Sequence, residues 1–310
     1  MSNILIIKHG SLGDLIQANG AIKDIKNFYP NRKVFLLTTQ PYSIFMSECP
    51  YLDGVLIDKR LPRWNLFYLN NLKKTLSKYD FSKVFDLQNS SRTKFYKRFI
   101  IKNVEWSSTE TALEPGQRKS DFDKDPVLDR MEIQLKKSGI ETEFTKNIDL
   151  SWAVENTSHL VKKYTNREYI LLFPFCSPKL KNKKWPYYKE LIQKLKQEFK
   201  NKYSVLLAPG PNEIEEANEL NAKVVLENNE HVTLKTLVSL IHSAKLIIAN
   251  DTGPAHIASH LDKKGLALFG SHTSAKKVSI ENFNFKAISV KNLNDLDVDT
   301  VLNEAKVKLS

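Results

Sequence analysis

Residues 3–14 read NILIIKHGSLGD and carry the clearest indication of the fold. The apolar run Ile4–Ile7 is continuous, which is typical of a parallel strand buried on both faces. Two glycines then interrupt the run, and a helix is predicted from about Asp14 to Phe28. A buried strand that turns at once into a helix is the first unit of an α/β fold with a parallel sheet.

The alternation of strand and helix continues through the first half of the chain. Further strands are predicted at Val34–Leu37, Val55–Ile57 and Lys83–Leu87, with an amphipathic helix at Leu66–Tyr79. Residues 107–125 are polar and contain Pro115 and Gly116, so we predict a long loop there. A helix over 128–138 follows, and Gly139 ends it.

The same pattern restarts after residue 167. Strands are predicted at 169–173, 203–207, 223–226, 246–249 and 265–269. Helices are predicted at 187–199, 213–220, 234–243 and 257–261, and a last one at about 295–309. Because 310 residues suit two domains of about 150 residues each, we interpret the chain as two Rossmann-like domains, 1–155 and 156–310, joined through 151–167.

The chain is strongly basic, with a formal net charge of +12 and a pI of about 9.4. Part of the excess lies in two clusters: Lys94, Lys97, Arg98 and Lys102 among the aromatics Phe95, Tyr96 and Phe99, and Lys179, Lys181, Lys183 and Lys184. Such clusters favour an anionic partner. The candidates are a nucleic acid, an anionic membrane face and a phosphorylated substrate. No nucleic-acid-binding motif accompanies them, so we expect no nucleic acid. Solvated surface lysines are the alternative.

Other features argue against several classes of protein. No apolar run approaches the roughly 20 residues that span a bilayer, and Met1–Lys8 has the pattern of a strand rather than of a secretory signal. The two cysteines, Cys49 and Cys176, are far apart in sequence, which disfavours a disulfide framework or a cysteine zinc site. These features predict a protein of the reducing cytosol.

Four polar loops follow predicted strands, and ligands of open parallel sheets bind beyond the carboxyl ends of strands. The first loop, His9–Asp14, has backbone N–H groups that can hold an anion. Its glycines lack the G-x-G-x-x-G spacing of a dinucleotide site. Asp14 is there either a helix cap or a catalytic carboxylate, and its position alone favours the cap.

The second and third loops precede predicted helices. Ser177–Pro186 places Lys183 and Lys184 just before a helix, where a diphosphate is favoured. A solvated basic loop is the alternative. In the third loop, Pro209–Glu213, the side chain of Glu213 either caps the helix or accepts hydrogen bonds from ribose hydroxyls.

The fourth loop, Asn250–His256, is the most specific. The backbone N–H groups of Thr252 and Gly253 are predicted to point out of a helix start toward a phosphate. His256 lies one turn further on, on the same face as Thr252. Because Asp251 would repel a phosphate, it either caps the helix or binds sugar hydroxyls.

Taken in order, these loops resemble glycosyltransferase family 9, the ADP-heptose:lipopolysaccharide heptosyltransferases. The resemblance spans nearly the whole chain. The matching residues are Ile4–Lys8 with Gly13 and Asp14, Phe85–Gln88 with Arg92, Lys183–Pro186, Gly210 and Pro211 with Glu213, Asp251–Pro254 with His256, and Leu268–Gly270. The chain departs from the family pattern at Asn89, at Phe175–Cys176 and at Ser271–Ser274, where the family usually has a glycine, Gly-Ala and a Thr-Asp-Pro-like turn.

The resemblance implies a GT-B fold, in which two Rossmann-like domains with parallel sheets face each other across a cleft. The N-terminal domain would bind the acceptor and the C-terminal domain the nucleotide sugar, and the helix at 295–309 would pack back on the N-terminal domain. The implied reaction is an inverting transfer of heptose from ADP-heptose to a Kdo or heptose of the lipopolysaccharide inner core. The implied location is the cytoplasmic face of the inner membrane, in peripheral contact with it.

The same resemblance implies the roles of individual residues. Asp14 would be the general base that deprotonates the acceptor hydroxyl. The donor-binding residues would be Ser177, Lys183, Lys184, Glu213, Asp251, Thr252, Gly253 and His256, with Lys183 at the diphosphate, Glu213 at the ribose and Asp251 at the heptose. The acceptor-binding residues would be Lys8, Ser11, Gln88 and Arg92. Neither a cofactor nor a metal is expected, because a lysine and helix dipoles can stabilise a leaving diphosphate.

Other functions remain open at this point. One is the same fold and mechanism with another nucleotide sugar, such as a hexose donor. A second is a non-catalytic nucleotide- or anion-binding relative, since a fold alone does not establish activity. The presence of Asp14 weighs against it. A third, an NAD-dependent oxidoreductase, is disfavoured by the missing dinucleotide fingerprint.

Overall fold

The computed structural model describes residues 2–310. Residue contacts divide the chain into two compact units, the first ending at Trp152 and the second beginning at Ala153. The sequence placed this boundary between residues 155 and 156. The connecting segment 151–167 contains a turn of 3-10 helix at Ser151–Ala153 and a short helix at Ser158–Lys162.

The first unit contains a parallel sheet with a buried central strand. Its strands are β1 (Asn3–Ile7), β2 (Val34–Thr38), β3 (Gly54–Ile57), β4 (Phe81–Asp86) and β5 (Glu105–Ser107). They lie in the order β3-β2-β1-β4-β5, and every pairing is parallel. Residues 4–7 of β1 are fully buried, as the continuous apolar run predicted.

Helices connect the strands of this sheet. They are α1 (Leu12–Phe28), α2 (Gln40–Ser47), α3 (Leu66–Leu76), α4 (Ser91–Phe99), α5 (Thr109–Ala112), α6 (Lys119–Phe122) and α7 (Val127–Lys137). The prediction of one long loop at 107–125 was wrong, because this segment contains the short helices α5 and α6. The buried side chains of Ala112 and Phe122 anchor it to the unit. Two isolated apolar residues are too few to show a helical period in the sequence.

The second unit contains a parallel sheet of six strands. They are β6 (Glu168–Phe173), β7 (Tyr203–Leu207), β8 (Lys223–Val224), β9 (Leu246–Asn250), β10 (Gly265–Phe269) and β11 (Phe285–Ser289). Their order is β11-β10-β9-β6-β7-β8. The sequence analysis did not predict β11, an edge strand in which only Phe285 is buried and which therefore lacks an apolar run.

Helices of the second unit are α8 (Ser158–Lys162), α9 (Tyr188–Glu198), α10 (Ile214–Asn218), α11 (Leu234–Ser243), α12 (Gly253–His260) and α13 (Val298–Leu309). The last of these helices, α13, packs against α9, β9 and β10. Its apolar residues Val301, Leu302 and Ala305 are part of the core of the second unit.

In both sheets the strand order reverses beside the first strand of the unit. β1 lies between β2 and β4, and β6 lies between β7 and β9. Ligands of doubly wound sheets bind at such reversals, beyond the carboxyl ends of the strands. The loops after β1 and β4, and those after β6 and β9, contain most of the predicted site residues. Within residues 2–310, no helix is long and apolar enough to cross a membrane.

Candidate active site

Asp14 lies in the first turn of α1, just beyond the carboxyl end of β1. Its Oδ2 accepts hydrogen bonds from the backbone N–H and the hydroxyl of Ser11, both at 2.9 Å. The prediction that Asp14 is the N-cap of the helix was wrong. Ser11 is the N-cap, and Asp14 is the third helical residue, whose side chain reaches back to Ser11. The Asp14 side chain keeps 43% of its surface exposed, so a substrate hydroxyl can reach the carboxylate.

Lys8 places a buried ammonium group next to this carboxylate. Its Nζ donates to the backbone oxygen of Leu87 at 3.1 Å and lies 3.6 Å from Asp14 Oδ1. Burial lowers the pKa of Lys8, and the charges of Asp14 and Asp86 act in the opposite direction. Lys8 therefore ties together the ends of β1 and β4 and sets a positive charge beside Asp14.

The loop after β4 is fastened to the loop after β1. Gln88 Oε1 accepts the backbone N–H of His9 at 2.8 Å. The buried carboxylate of Asp86, whose pKa burial raises, accepts the backbone N–H groups of Gln88 at 3.1 Å and Asn89 at 2.9 Å. Asn89 has φ of 50°, a left-handed conformation that asparagine tolerates better than most residues other than glycine. This departure from the family pattern thus preserves the turn.

A buried carboxylate that the sequence analysis missed, Asp58, lies behind these loops. It follows β3, and its Oδ2 lies 2.9 Å from His9 Nε2 and accepts the hydroxyl of Tyr96 at 2.7 Å. Its Oδ1 accepts the hydroxyl of Tyr68 and, at 2.8 Å, the backbone N–H of Arg60. Burial raises the pKa of Asp58, but these hydrogen bonds outweigh burial and hold the pKa at about 2. The ionised group therefore fixes His9, which adjoins Lys8.

Arg92, at the start of α4, extends the same network. Its Nη1 donates to the Tyr96 hydroxyl at 3.0 Å, and its Nη2 donates to the backbone oxygens of Leu61 at 3.0 Å and Arg60 at 3.3 Å. The structure thus brings all four predicted acceptor residues to the carboxyl edge of the first sheet. Arg92 holds the loop after β3 in place there.

In the second unit, three basic side chains converge on the carboxylate of Asp251. This residue follows β9 and is 4% exposed. Lys183 Nζ lies 2.7 Å and His272 Nε2 2.8 Å from Asp251 Oδ2, while His256 Nε2 lies 3.7 Å from Oδ1. Burial raises the pKa of Asp251, but the contacts with His256, Lys183 and His272 outweigh burial and hold it well below its usual value. Asp251 is therefore a fixed, ionised acceptor of hydrogen bonds.

His272 is the second site residue that the sequence analysis missed. It follows β10, and its ring stacks on Phe269 with 6.0 Å between centroids and 10° between planes. The sequence marked Ser271–Ser274 only as a departure from the family pattern. No spacing rule relates His272 to Asp251, because the two meet only through the pairing of β9 with β10.

Two ring nitrogens of this cluster have no protein partner. The Nδ1 atoms of His256 and His272 are buried and accept or donate no hydrogen bond within the described chain, residues 2–310. A buried polar atom without a partner costs stability of about 1–3 kcal/mol. These nitrogens are available to a bound ligand that supplies the missing hydrogen bonds.

The cluster adjoins the start of α12. Thr252 is the N-cap of this helix and Gly253 its first residue. The first N–H groups of a helix have no partner within it, and they point toward its positive end. The buried side chain of Asn250 holds the loop after β6 at this place: its Oδ1 accepts the backbone N–H of Trp185 at 3.2 Å, and its Nδ2 donates to Pro174 at 2.9 Å.

The remaining predicted donor residues have other partners. Ser177 is exposed and precedes a 3-10 turn, and Lys184 pairs with Glu216. Glu213 Oε2 accepts the backbone N–H of Gly210 at 2.7 Å, so its side chain closes the turn after β7 and does not cap α10. Burial raises the pKa of the Glu213 carboxyl.

Each unit therefore offers a distinct chemistry at the carboxyl edge of its sheet. The first has an accessible carboxylate, which can take a proton from a hydroxyl. The second has a helix start suited to a diphosphate and a fixed carboxylate suited to hydroxyl groups. Within residues 2–310, no three His, Cys, Asp or Glu side chains are grouped as metal ligands would be.

Comparison with known proteins gives matches to heptosyltransferases and, among the solved structures, also to UDP-GlcNAc 2-epimerases, of which that from Methanocaldococcus jannaschii is 15% identical with a TM-score of 0.59 over 100% of this chain and 93% of its own. The family model of glycosyltransferase family 9 (heptosyltransferase) matches residues 69–298. Lipopolysaccharide heptosyltransferase 1 of Campylobacter coli is 22% identical over 99% of this chain and 97% of its own length. The solved structure of E. coli heptosyltransferase WaaC with ADP is 18% identical and aligns with a TM-score of 0.74 over 99% of both chains. A glycosyltransferase family 9 structure from Veillonella parvula is 14% identical, with a TM-score of 0.75 over 99% of this chain and 97% of its own.

Proposed function

The chain belongs to glycosyltransferase family 9, the heptosyltransferase family, and we propose that it transfers heptose from ADP-heptose to the lipopolysaccharide inner core. The fold of two Rossmann-like parallel sheets is that of the GT-B heptosyltransferases. The chain is a glycosyltransferase with relatives in lipopolysaccharide biosynthesis. The proposal adds the donor, the acceptor, which is a Kdo or heptose, and inversion at the transferred carbon.

The observation that carries the proposal is the Asp251 cluster at the start of α12. A diphosphate fits the first N–H groups of this helix together with Lys183. A sugar attached to that diphosphate would present hydroxyls, which Asp251 and the unpartnered Nδ1 atoms of His256 and His272 can bind. The similar E. coli heptosyltransferase WaaC was solved with ADP, which supports an adenine nucleotide.

The first unit supplies the acceptor chemistry in this proposal. Inverting transfer needs one base that takes the proton of the attacking hydroxyl as the new bond forms. Asp14 is accessible, and Lys8 lies beside it to attract an anionic acceptor such as a Kdo carboxylate. Lys183 and the start of α12 stabilise the departing diphosphate, so the proposal includes neither a metal nor a cofactor.

A thermal-shift panel of ADP, UDP, GDP, CMP, NAD and ADP-heptose tests the donor. A ligand that binds only the folded state raises the free energy of unfolding, by about 2.7 kcal/mol at a hundred times its Kd. The melting temperature rises as a result. We expect ADP and ADP-heptose alone to raise it, and then transfer to Kdo-lipid A in an activity assay. Stabilisation by UDP or GDP instead would contradict the adenine nucleotide, and the absence of any response would contradict donor binding.

A second candidate is the same reaction with another nucleotide sugar. The observation that favours it is His272, which contacts the carboxylate assigned to the sugar and stands where the sequence departs from the family pattern. The thermal-shift panel compares the bases of the nucleotide. A separate panel of ADP-sugars, in which the nucleotide is fixed, compares only the sugars.

His272 is expected to position Asp251 for the sugar rather than for the nucleotide. His272→Phe keeps an aromatic ring against Phe269 but removes the hydrogen bond to Asp251. Hydrogen bonds to charged groups contribute roughly 1.5–3 kcal/mol, so kcat/KM for the nucleotide sugar should fall at least about tenfold while the Kd of ADP stays constant.

Two further variants make this test specific. His272→Gln restores a donor toward Asp251 and should recover part of the loss. His242→Phe, at an exposed histidine of α11, controls for the loss of an imidazole. Equal weakening of ADP and ADP-heptose by His272→Phe would show that the residue acts on the whole site and not on the sugar.

The location in this proposal is the cytoplasmic face of the inner membrane, because the proposed acceptor is part of a lipid. The enzyme would meet that face peripherally. The net charge of +12 suits a surface that carries anionic lipids.

A further inference from the structure

A group of exposed apolar side chains lies in the segment 57–67. Trp64 is 81% exposed, Phe67 78% and Leu66 75%, and Ile57 and Leu61 are exposed as well. Single exposed apolar residues are normal on a protein surface, whereas a contiguous group marks a place of interaction. None of the proposed catalytic or substrate-binding roles uses these side chains.

Aromatic and basic side chains of α4 extend this group. The Arg63 guanidinium lies over the ring of Phe95, 5.8 Å from its centroid, and Arg63 Nη1 donates to the backbone oxygen of Ser91 at 3.4 Å. The rings of Phe95 and Phe99 are 4.8 Å apart, and the Arg98 guanidinium lies 5.2 Å from the Phe99 centroid. The exposed members form the aromatic–basic surface: Leu61, Arg63, Trp64, Leu66, Phe67, Arg98 and Phe99.

The exposed charged side chains of this surface and of the segment 57–67 are all basic. Lys59, Arg60 and Arg63 are exposed, whereas Asp58, the acidic residue of the segment 57–67, is buried and held by internal hydrogen bonds. Arg98 is exposed as well. Rings of tryptophan and phenylalanine favour the interface between lipid and water, and arginines beside them attract anionic headgroups. A protein partner would need a complementary acidic and apolar face, whereas an anionic bilayer supplies both properties everywhere.

The surface is also continuous with the acceptor residues. Arg92 holds the backbone of Arg60 and Leu61, and Asp58, at the start of the same loop, contacts His9 beside Lys8. A lipid-linked acceptor has its hydrophobic part in a bilayer, so its sugar reaches Asp14 most easily if the bilayer lies beside this edge of the sheet. The choice of a bilayer rests in this respect on the proposed function.

We propose that the aromatic–basic surface docks the enzyme on an anionic lipid bilayer. Trp64, Leu66 and Phe67 enter the headgroup region, and Arg63 and Arg98 contact lipid phosphates. Docking of this kind is reversible and needs no membrane-spanning segment.

The test measures binding of the full chain to vesicles that contain no acceptor. Wild-type protein is sedimented with phosphatidylcholine vesicles, with and without phosphatidylglycerol, and we expect binding only when the anionic lipid is present. Trp64→Ser/Phe67→Ser should weaken this binding at least about tenfold, because two interfacial rings are lost. The matched control is Phe283→Ser, which removes a ring that is 95% exposed in the second unit and should leave binding unchanged.

Charge and fluorescence give two further readouts. Arg63→Gln/Arg98→Gln should weaken binding by about fivefold for each charge removed, and added salt should weaken wild-type binding as well.

Trp106 and Trp185 are buried and Trp152 is half-buried, whereas Trp64 is 81% exposed, so a shift of tryptophan emission to shorter wavelength on vesicle binding should come mainly from Trp64. Trp64→Ser should abolish that shift.

Three results would overturn the proposal. They are absence of wild-type binding to anionic vesicles, equal binding by Trp64→Ser/Phe67→Ser, and conversion of a wild-type dimer to a monomer by that variant without any vesicle binding. The last would identify a second copy of the chain as the occupant. Transfer to a deacylated, soluble acceptor should be equal in wild type and variant. If no acceptor of any form is used, the proposed function fails while the vesicle result still decides the docking.

Discussion

Replacing Asp14 with asparagine should lower kcat by about a hundredfold to ten-thousandfold while ADP-heptose still binds. The reason is that an amide cannot take the proton of the acceptor hydroxyl, whereas the binding groups for the donor lie in the second unit and remain intact. The measurement combines steady-state transfer to Kdo-lipid A with calorimetric titration of ADP-heptose into the same preparation.

The geometry around Asp14 lets this test separate catalysis from helix capping. Asp14 Oδ2 accepts the backbone N–H of Ser11, and the amide oxygen of asparagine can accept the same bond. Asp14→Asn should therefore melt close to wild type, because the charge of Asp86 remains to compensate the buried ammonium of Lys8. Asp14→Ala removes the acceptor and should cost about 0.5–2 kcal/mol of stability. Equal loss of turnover in both variants, with loss of stability only in the second, assigns the carboxylate to the chemistry.

Asp80→Asn is the matched control for charge. Asp80 is exposed and immediately precedes β4, at the amino edge of the same sheet, and the same change there should leave kcat unaltered. The proposed role would be wrong if Asp14→Asn kept normal turnover, or if turnover was lost only in variants that also lost stability.

Much of the fold was predictable because its signals are local. The apolar run Ile4–Ile7 is a buried strand because parallel strands are covered on both faces, and β9 running into α12 follows from Asn250–His256 alone. The strand–helix alternation then determined the doubly wound class of both units. Elements were missed where this local signal is weak: β11 has one buried residue, β5 has three residues in all, and the helices α2 and α4 were not predicted either.

The same difference between local and distant signals separates the predicted residues of the candidate site from those that were missed. Asp14, Lys183, Asp251 and His256 were predicted because each lies in a loop that follows a strand or at the start of the next helix, and the family resemblance supplied their roles. Asp58 and His272 were missed because their partners are far away in sequence: His272 meets Asp251 across 21 residues through paired strands. Asp58 meets His9 because a loop after one strand folds back on the loop after another. Such contacts depend on strand order and register, which periodicity does not contain.

Replacing Lys183 with alanine should weaken binding of ADP by about tenfold to a hundredfold. The substitution removes a charge-assisted contact with the diphosphate that is worth roughly 1.5–3 kcal/mol. A second effect acts in the same direction. Lys183 Nζ lies 2.7 Å from the buried carboxylate of Asp251, so its removal leaves that negative charge less compensated beside the phosphates.

The role of Lys183 is separated from a general effect on the site by comparing ligands. Adenosine has no phosphate, so its affinity should be the same for wild type and Lys183→Ala, whereas ADP and ADP-heptose should both lose affinity. Lys183→Arg keeps the charge and should recover part of the loss, although a guanidinium differs in shape from an ammonium group. Lys181→Ala, at an exposed lysine of the same 3-10 turn, is the matched control and should bind ADP as wild type does.

The pairing of Lys183 with Asp251 gives this experiment a second, independent readout. If the lysine moves from Asp251 to the diphosphate when ADP binds, the carboxylate retains His272 and His256 as partners and stays ionised. ADP affinity should then fall steeply with salt in wild type and much less in Lys183→Ala, because one charge pair with the ligand is gone. Unchanged ADP affinity in Lys183→Ala, or equal weakening of adenosine and ADP, would mean that Lys183 serves only to neutralise Asp251 and that the start of α12 holds the diphosphate without it.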